Sequence, residues 1–138
     1  LYAFSSENWK RPASEIADLM ALLRRFIQSD IDEFHANDVR LKVIGNYRAL
    51  DAALVDMIDS AVARTAGNGG ATLAIALNYG SQDEMVRAAQ FLAARAAAGE
   101  IAPDGIGVDD ISACLDTAEL PPLDLLVRTS GGHRFSNF

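Results

Sequence analysis

The sequence predicts an α/β domain with a mostly parallel central sheet flanked by helices, because helical and strand-like segments alternate along it. Two observations carry that expectation. The run Ala71 to Leu77 is apolar apart from Thr72, short, and bounded by glycines and Asn78, as befits a strand buried on both faces. Ahead of it, Ile16, Leu19, Met20, Leu23, Phe26, Ile27, Ile31 and Phe34 recur at helical spacing between two strand-like runs.

Taken in order, Leu1 to Phe4 reads as the end of a buried strand, running into a polar loop at Ser5-Ser6-Glu7-Asn8. Pro12 suits the first turn of a helix, where its missing N–H costs nothing, and Asn37 suits the end of that helix at Ala36. Val39 to Ile44 alternates apolar with basic residues, which predicts a strand with one partly exposed face, ended by Gly45-Asn46. Asp51 can cap a helix with its stripe at Leu54, Met57, Ile58, Ala61 and Val62, stopped by Gly67-Asn68-Gly69-Gly70. After the buried strand, Ser81-Gln82-Asp83-Glu84 has the pattern of a capping box. The helix it opens has an expected core stripe of Met85, Val86, Ala89, Leu92 and Ala93. Gly99 to Gly107 is expected to be a loop, and Asp109 or Asp110 to cap a short helix through Leu115. Pro121-Pro122 then breaks the chain before a last predicted strand, Leu123 to Val127.

Composition narrows the function classes. Half of the residues are apolar (50%) and 22% are charged, which is globular rather than disordered. No apolar run is long enough to span a bilayer. Cys114 is the only cysteine, so no internal disulfide can form, a Cys-based zinc site is disfavoured, and a reducing, cytoplasmic setting is the default. A net charge of −7 speaks against a general partner among nucleic acids or anionic membranes. It leaves open a small anionic substrate, provided positive charge is concentrated locally. The chain starts within an apolar run and stops at Ser136-Asn137-Phe138, and so reads as an internal piece of a longer protein, one incomplete domain over 1–138.

Three polar clusters follow predicted strands: Ser5 to Pro12, Asn78-Tyr79-Gly80, and Arg128 to Asn137. Open α/β sheets bind ligands at these strand ends, and parallel strands bring them to one side. Arg128 and Arg134, with glycines and hydroxyls between and after them, suit a diphosphate. Guanidinium groups bind phosphate oxygens bidentately, and glycine lets backbone N–H groups approach. By itself such a stretch is better read as a polar loop with surface arginines.

The segment Leu1 to Pro12 (LYAFSSENWKRP) resembles the cis-prenyltransferase motif almost letter for letter, and Glu15, Leu19 and Met20 continue it. Leu77-Asn78-Tyr79-Gly80 is similar to the family's central Asn-Tyr-Gly motif. Arg128 to Phe138 resembles its C-terminal Arg-Thr-(Ser/Gly)-Gly-x-x-Arg-x-Ser-Asn-Phe motif. Order and spacing also match, so the resemblance covers essentially the whole chain and is greatest to bacterial undecaprenyl diphosphate synthases.

That resemblance implies the cis-prenyltransferase fold, truncated here at both ends. It implies a transferase that condenses isopentenyl diphosphate with an allylic diphosphate such as farnesyl diphosphate. The product would be a cis-polyprenyl diphosphate, like the undecaprenyl diphosphate from which the cell-wall lipid carrier is made. Mg²⁺ is the implied cofactor, a homodimer the implied assembly, and the cytoplasm the implied location, with at most peripheral contact at the inner face of the membrane. By position, Arg128, Arg134 and Ser136 match residues that hold isopentenyl diphosphate, and Arg11 one that reaches diphosphate beside them. Ser5, Asn8 and Trp9 match the loop that closes over the allylic substrate, Asn8 at a position implicated in accepting the proton. Glu15 matches an acid implicated in loop movement and substrate handling, while Asn78 and Tyr79 match positions shaping the site. Phe4, Leu19, Met20, Leu23, Leu73 and Ile75 are read first as core and second as walls of a tunnel for the growing chain.

The family's catalytic Asp, in an Asp-Gly-Asn-Gly-Arg motif, and its metal ligands fall outside residues 1–138, so this piece alone is expected to be inactive. Gly132 stands where the family usually has Glu, Ser81 where glycine is common and Gln82 where arginine is common. Gly132 keeps a second reading open, a non-catalytic prenyltransferase-like subunit that binds lipid diphosphate or a catalytic partner. An unrelated Rossmann-like phosphate binder is disfavoured, because no Gly-x-Gly-x-x-Gly fingerprint is present.

Overall fold

The computed structural model of the chain describes residues 1–128. Backbone contacts divide it into two compact units, the first Leu1–Tyr79 and the second beginning at Gly80.

In the first unit, strands β1 (Tyr2–Ser5), β2 (Arg40–Ile44) and β3 (Thr72–Tyr79) form a parallel sheet in the order β1-β3-β2. The central place of β3 explains its composition. Both its edges are paired, and its second half from Ile75 to Tyr79 is buried throughout. Helices α1 (Ala13–Ala36) and α2 (Ala52–Thr65) connect the strands. Both pack on one face of the sheet: Ile27, Leu54, Ile58 and Ala61 meet Phe4, Leu41, Ile75 and Leu77 in one core cluster. Leu19, Met20, Leu23 and Leu73 are partly buried against the same cluster.

The helix ends expected at Asn37 and Asp51 are borne out in the first unit, whereas Pro12, expected within the first turn of α1, stands one residue before it. Pro12 is the N-cap of α1 and Asn37 its C-cap, where the Asn37 side chain donates to the Glu33 carbonyl oxygen at 2.8 Å. The Asp51 carboxylate accepts from Leu54 N–H at 3.2 Å and from Arg24 at 2.8 Å. The Arg24 hydrogen bond, with that from Leu54, lowers the Asp51 pKa from the ordinary carboxylate value. Arg64 pairs with Asp32 at 2.6 Å and ties α2 to α1.

Thr65 closes α2 from inside. Its side chain has no exposure, donates to the Ala61 carbonyl oxygen at 3.1 Å and accepts from Leu41 N–H of β2 at 3.0 Å. Thr65→Val keeps the shape and deletes that acceptor, leaving a buried N–H without its partner. We expect a loss of about 1–3 kcal/mol in the stability of the full-length protein. Urea unfolding checks this: the midpoint should fall with an unchanged m-value.

The second unit contains α3 (Ser81–Ala97) and a short α4 (Val108–Ala113). Here the structure corrects four expectations. The N-cap of α3 is Gly80, and no capping box forms. The Glu84 side chain is buried and accepts from Asp116 N–H at 2.8 Å, while Arg87 pairs with Asp116 at 2.9 Å. These contacts turn Glu84, Ala88 and Leu92 inward, so Met85, Val86, Ala89 and Ala93 are exposed rather than core. Asp110 supports α4 from inside its first turn, accepting from the N–H of the cap residue Gly107 at 2.9 Å. Finally, residues 123–127 form no strand and their leucines and valine are exposed, since strand propensity yields a strand only beside a neighbouring ladder. Among the described residues none pairs with them.

Candidate functional site

Because the three strands are parallel, their C-terminal ends lie along one edge of the sheet, where Ser5 is in register with Tyr79 and Ile44 with Ala76. Three loops leave from that edge: the turn after β1, Gly45-Asn46 after β2, and the bend at Asn78 near the end of β3.

The turn after β1 is a 3-10 helix over Ser6–Lys10. Ser5 and Asn8 lock it reciprocally: the Ser5 hydroxyl accepts from Glu7 N–H at 3.2 Å, and Asn8 Oδ1 accepts from Ser5 N–H at 2.8 Å. Two residue types read as substrate contacts thus first build the loop that would present them. Arg11 follows with its backbone N–H on the Asn8 carbonyl oxygen at 3.0 Å. Its side chain is half exposed and lies 3.8 Å from Glu15, a solvated pair that contributes little to stability. Arg11 can therefore exchange that carboxylate for a more highly charged anion.

Trp9 joins this polar turn to the core. Its ring stands edge-on to Phe4, with centroids 5.2 Å apart, and Phe4 is only 3% exposed. Its indole N–H donates to Asn78 Oδ1 at 2.8 Å. Asn78 in turn donates through Nδ2 to the Asn46 carbonyl oxygen at 2.8 Å, and its own carbonyl accepts from Asn46 N–H at 3.2 Å. The indole can only donate and the carbonyl only accept, so the amide orientation is fixed by chemistry. Asn78 has a positive φ of 48°, a left-handed conformation that Asn tolerates better than most residues. That bend interrupts the alternation of β3 and sends Tyr79 to the opposite face, where it packs with Tyr2, Ile44 and Ala76.

The sequence reading assigned Asn78 a general shaping role and missed Asn46, which contributes only backbone groups. The available signal was positional: Gly45-Asn46 and Asn78 both end strands that turned out to be neighbours. Arg128 is described and exposed, in the second unit. Arg134, Ser136 and the departure at Gly132 lie outside the described residues. Among the described residues, no group of three or more His, Cys, Asp or Glu side chains could hold a metal ion.

Open α/β sheets characteristically bind their ligands outside the carboxyl ends of the strands, which makes this set of polar strand-end loops the candidate site. Comparison with known proteins gives the family. The model described as "Putative undecaprenyl diphosphate synthase" matches residues 1–138, and the chain belongs to this prenyltransferase family. An isoprenyl transferase from Zymomonas mobilis is 50% identical over the whole chain, which covers 56% of that protein. The Escherichia coli ditrans,polycis-undecaprenyl-diphosphate synthase, (2E,6E)-farnesyl-diphosphate specific, is 42% identical, again over the whole chain, which covers 54% of it. The crystal structure of lavandulyl diphosphate synthase from Lavandula x intermedia, in complex with dimethylallyl diphosphate, superposes with a TM-score of 0.95 at 32% identity. That match covers 99% of this chain and 60% of the other. The chain thus spans little more than half the length of the curated relatives it matches.

Proposed function

We propose that the protein to which this chain belongs elongates an allylic diphosphate with isopentenyl diphosphate, and that the Ser5–Arg11 turn borders the allylic site. The observation that carries the reading is the pinning of that turn at the parallel strand ends, polar on its rim and apolar at Phe4 and Trp9. Family membership supports the same chemistry. An allylic diphosphate needs this pairing of surfaces, since its head is a multiply charged anion and its tail a hydrocarbon.

In the proposed reaction the diphosphate leaves the allylic carbon, the isopentenyl double bond attacks, and a proton is lost from the new chain. Charge builds up on the departing oxygens, so arginines placed there lower the barrier. Arg11 would face one diphosphate, and Arg128, Arg134 and Ser136 the other. Asn8 is proposed to help receive the proton. Mg²⁺ would supply further counter-charge, but the described residues do not fit a metal centre. In this reading its ligands, and the catalytic acid, are contributed from outside this chain. A long cis-polyprenyl diphosphate serving as precursor of the cell-wall lipid carrier, a homodimer, and peripheral contact with the inner face of the membrane complete the proposal. Among the described residues no helix is long and apolar enough to cross a membrane.

Calorimetric titration of the full-length protein with farnesyl diphosphate and with farnesol tests the head-group part of this reading. Charge-assisted hydrogen bonds contribute about 1.5–3 kcal/mol each, so the diphosphate should bind at least about a hundredfold tighter than the alcohol. Equal affinities would contradict it.

A further inference from the structure

Asn78 does more than end β3. Its side chain touches both neighbouring strand-end loops, through Trp9 on the β1 side and Asn46 on the β2 side. Trp9 remains 46% exposed, so packing against Phe4 alone leaves much of the ring in solvent. Of the two contacts that locate the indole, the edge-on packing against Phe4 allows the ring to slide, whereas a hydrogen bond of 2.8 Å specifies where its N–H points. The 3-10 turn is internally locked by Ser5 and Asn8, so wherever Trp9 is held, the rest of the turn goes with it.

We propose that Asn78 is a positioning residue that fixes the place of Trp9, and through it the Ser5–Lys10 turn, for the allylic substrate. The functional half of this inference rests on the proposed prenyl transfer; the structural half does not. Asn78 acts through Trp9 and is not itself placed on the substrate. The Asn46 contact gives the tie its direction: Nδ2 is held on the β2 side, which leaves Oδ1 facing the indole.

Two substitutions separate positioning from ordinary strand termination. Asn78→Gly accepts the positive φ and removes both side-chain bonds. Asn78→Asp retains the acceptor for the indole and loses the donor to Asn46. The readout is hydrogen exchange of the Trp9 indole N–H, followed by NMR in the full-length protein and assigned by its disappearance in Trp9→Phe. Losing one hydrogen bond worth about 1 kcal/mol should speed that exchange about five- to tenfold in N78G. In N78D exchange should speed up less than in N78G, because the acceptor for the indole is kept while the second carboxylate oxygen is repelled by the Asn46 carbonyl oxygen. In parallel, KM for the allylic diphosphate should rise in N78G, and W9F/N78G should be no worse than the poorer single variant, since both changes break the same bond. Unchanged indole exchange in N78G overturns the proposal. If N78G does not fold, Asn78→Ala decides, since it also removes both side-chain bonds: unchanged indole exchange there overturns the proposal equally. Absence of elongation by the wild-type protein would overturn the functional reading alone and leave the exchange result standing.

Discussion

Replacing Arg128 by Ala is expected to lower kcat/KM for isopentenyl diphosphate about 10²–10³-fold in the full-length protein and to leave its thermal unfolding unchanged. A guanidinium presents paired N–H donors that match two phosphate oxygens, and each charge-assisted bond contributes about 1.5–3 kcal/mol. Losing such a pair from the transition state therefore corresponds to about 3–4 kcal/mol, which is the stated range of rate. Arg128→Lys keeps the charge without the planar fork and should fall between wild type and Ala. Arg128 is exposed in a segment without regular secondary structure, so its removal leaves no cavity. Steady-state kinetics with isopentenyl diphosphate varied at saturating allylic diphosphate read the effect. Kinetics indistinguishable from wild type would remove Arg128 from the proposed site.

The largest effect on stability is expected at Gly45. It adopts a positive φ of 91°, and a Cβ there would lie far inside contact with the Leu77 carbonyl oxygen and 3.0 Å from Tyr79 Cβ. Neither neighbour can yield: both belong to β3, the central strand, whose end is buried. Gly45→Ala combines left-handed strain with overpacking, each of order 1–3 kcal/mol, and should destabilise by about 2–6 kcal/mol. Because the clash falls where β2 leaves β3, it should also disturb the Asn46–Asn78 contacts. Equilibrium unfolding of the full-length variant measures this, and a loss below about 1 kcal/mol would mean that the strand ends can separate at little cost.

Legibility in the sequence followed locality. The three strands, α1 and α2, and the helix ends at Asn37 and Asp51 depend on residues close in sequence and follow the expectation, except that Pro12 precedes the first turn and β3 runs on through Asn78 to Tyr79. Ser81 and Glu84 also had the right local pattern, yet Glu84 serves a backbone N–H thirty-two residues away. A long-range partner overrode the cap. Leu123 to Val127 shows the same limit from the other side, since its composition favours a strand but a ladder needs a neighbour. In the candidate site, Ser5, Asn8, Trp9 and Arg11 stand out through the family motif, and their positions at the strand ends follow from parallel topology. The tie from Trp9 through Asn78 to Asn46 was not legible, because it depends on a left-handed bend and on a backbone carbonyl that no residue type announces.

The most direct test of the central claim is incorporation of labelled isopentenyl diphosphate by the full-length protein supplied with farnesyl diphosphate and Mg²⁺. The account predicts a long, butanol-extractable polyprenyl diphosphate whose formation falls with the Arg128→Ala substitution. Well-folded protein that binds farnesyl diphosphate and forms no such product would contradict it, and would mark the Ser5–Arg11 turn as part of a binding subunit.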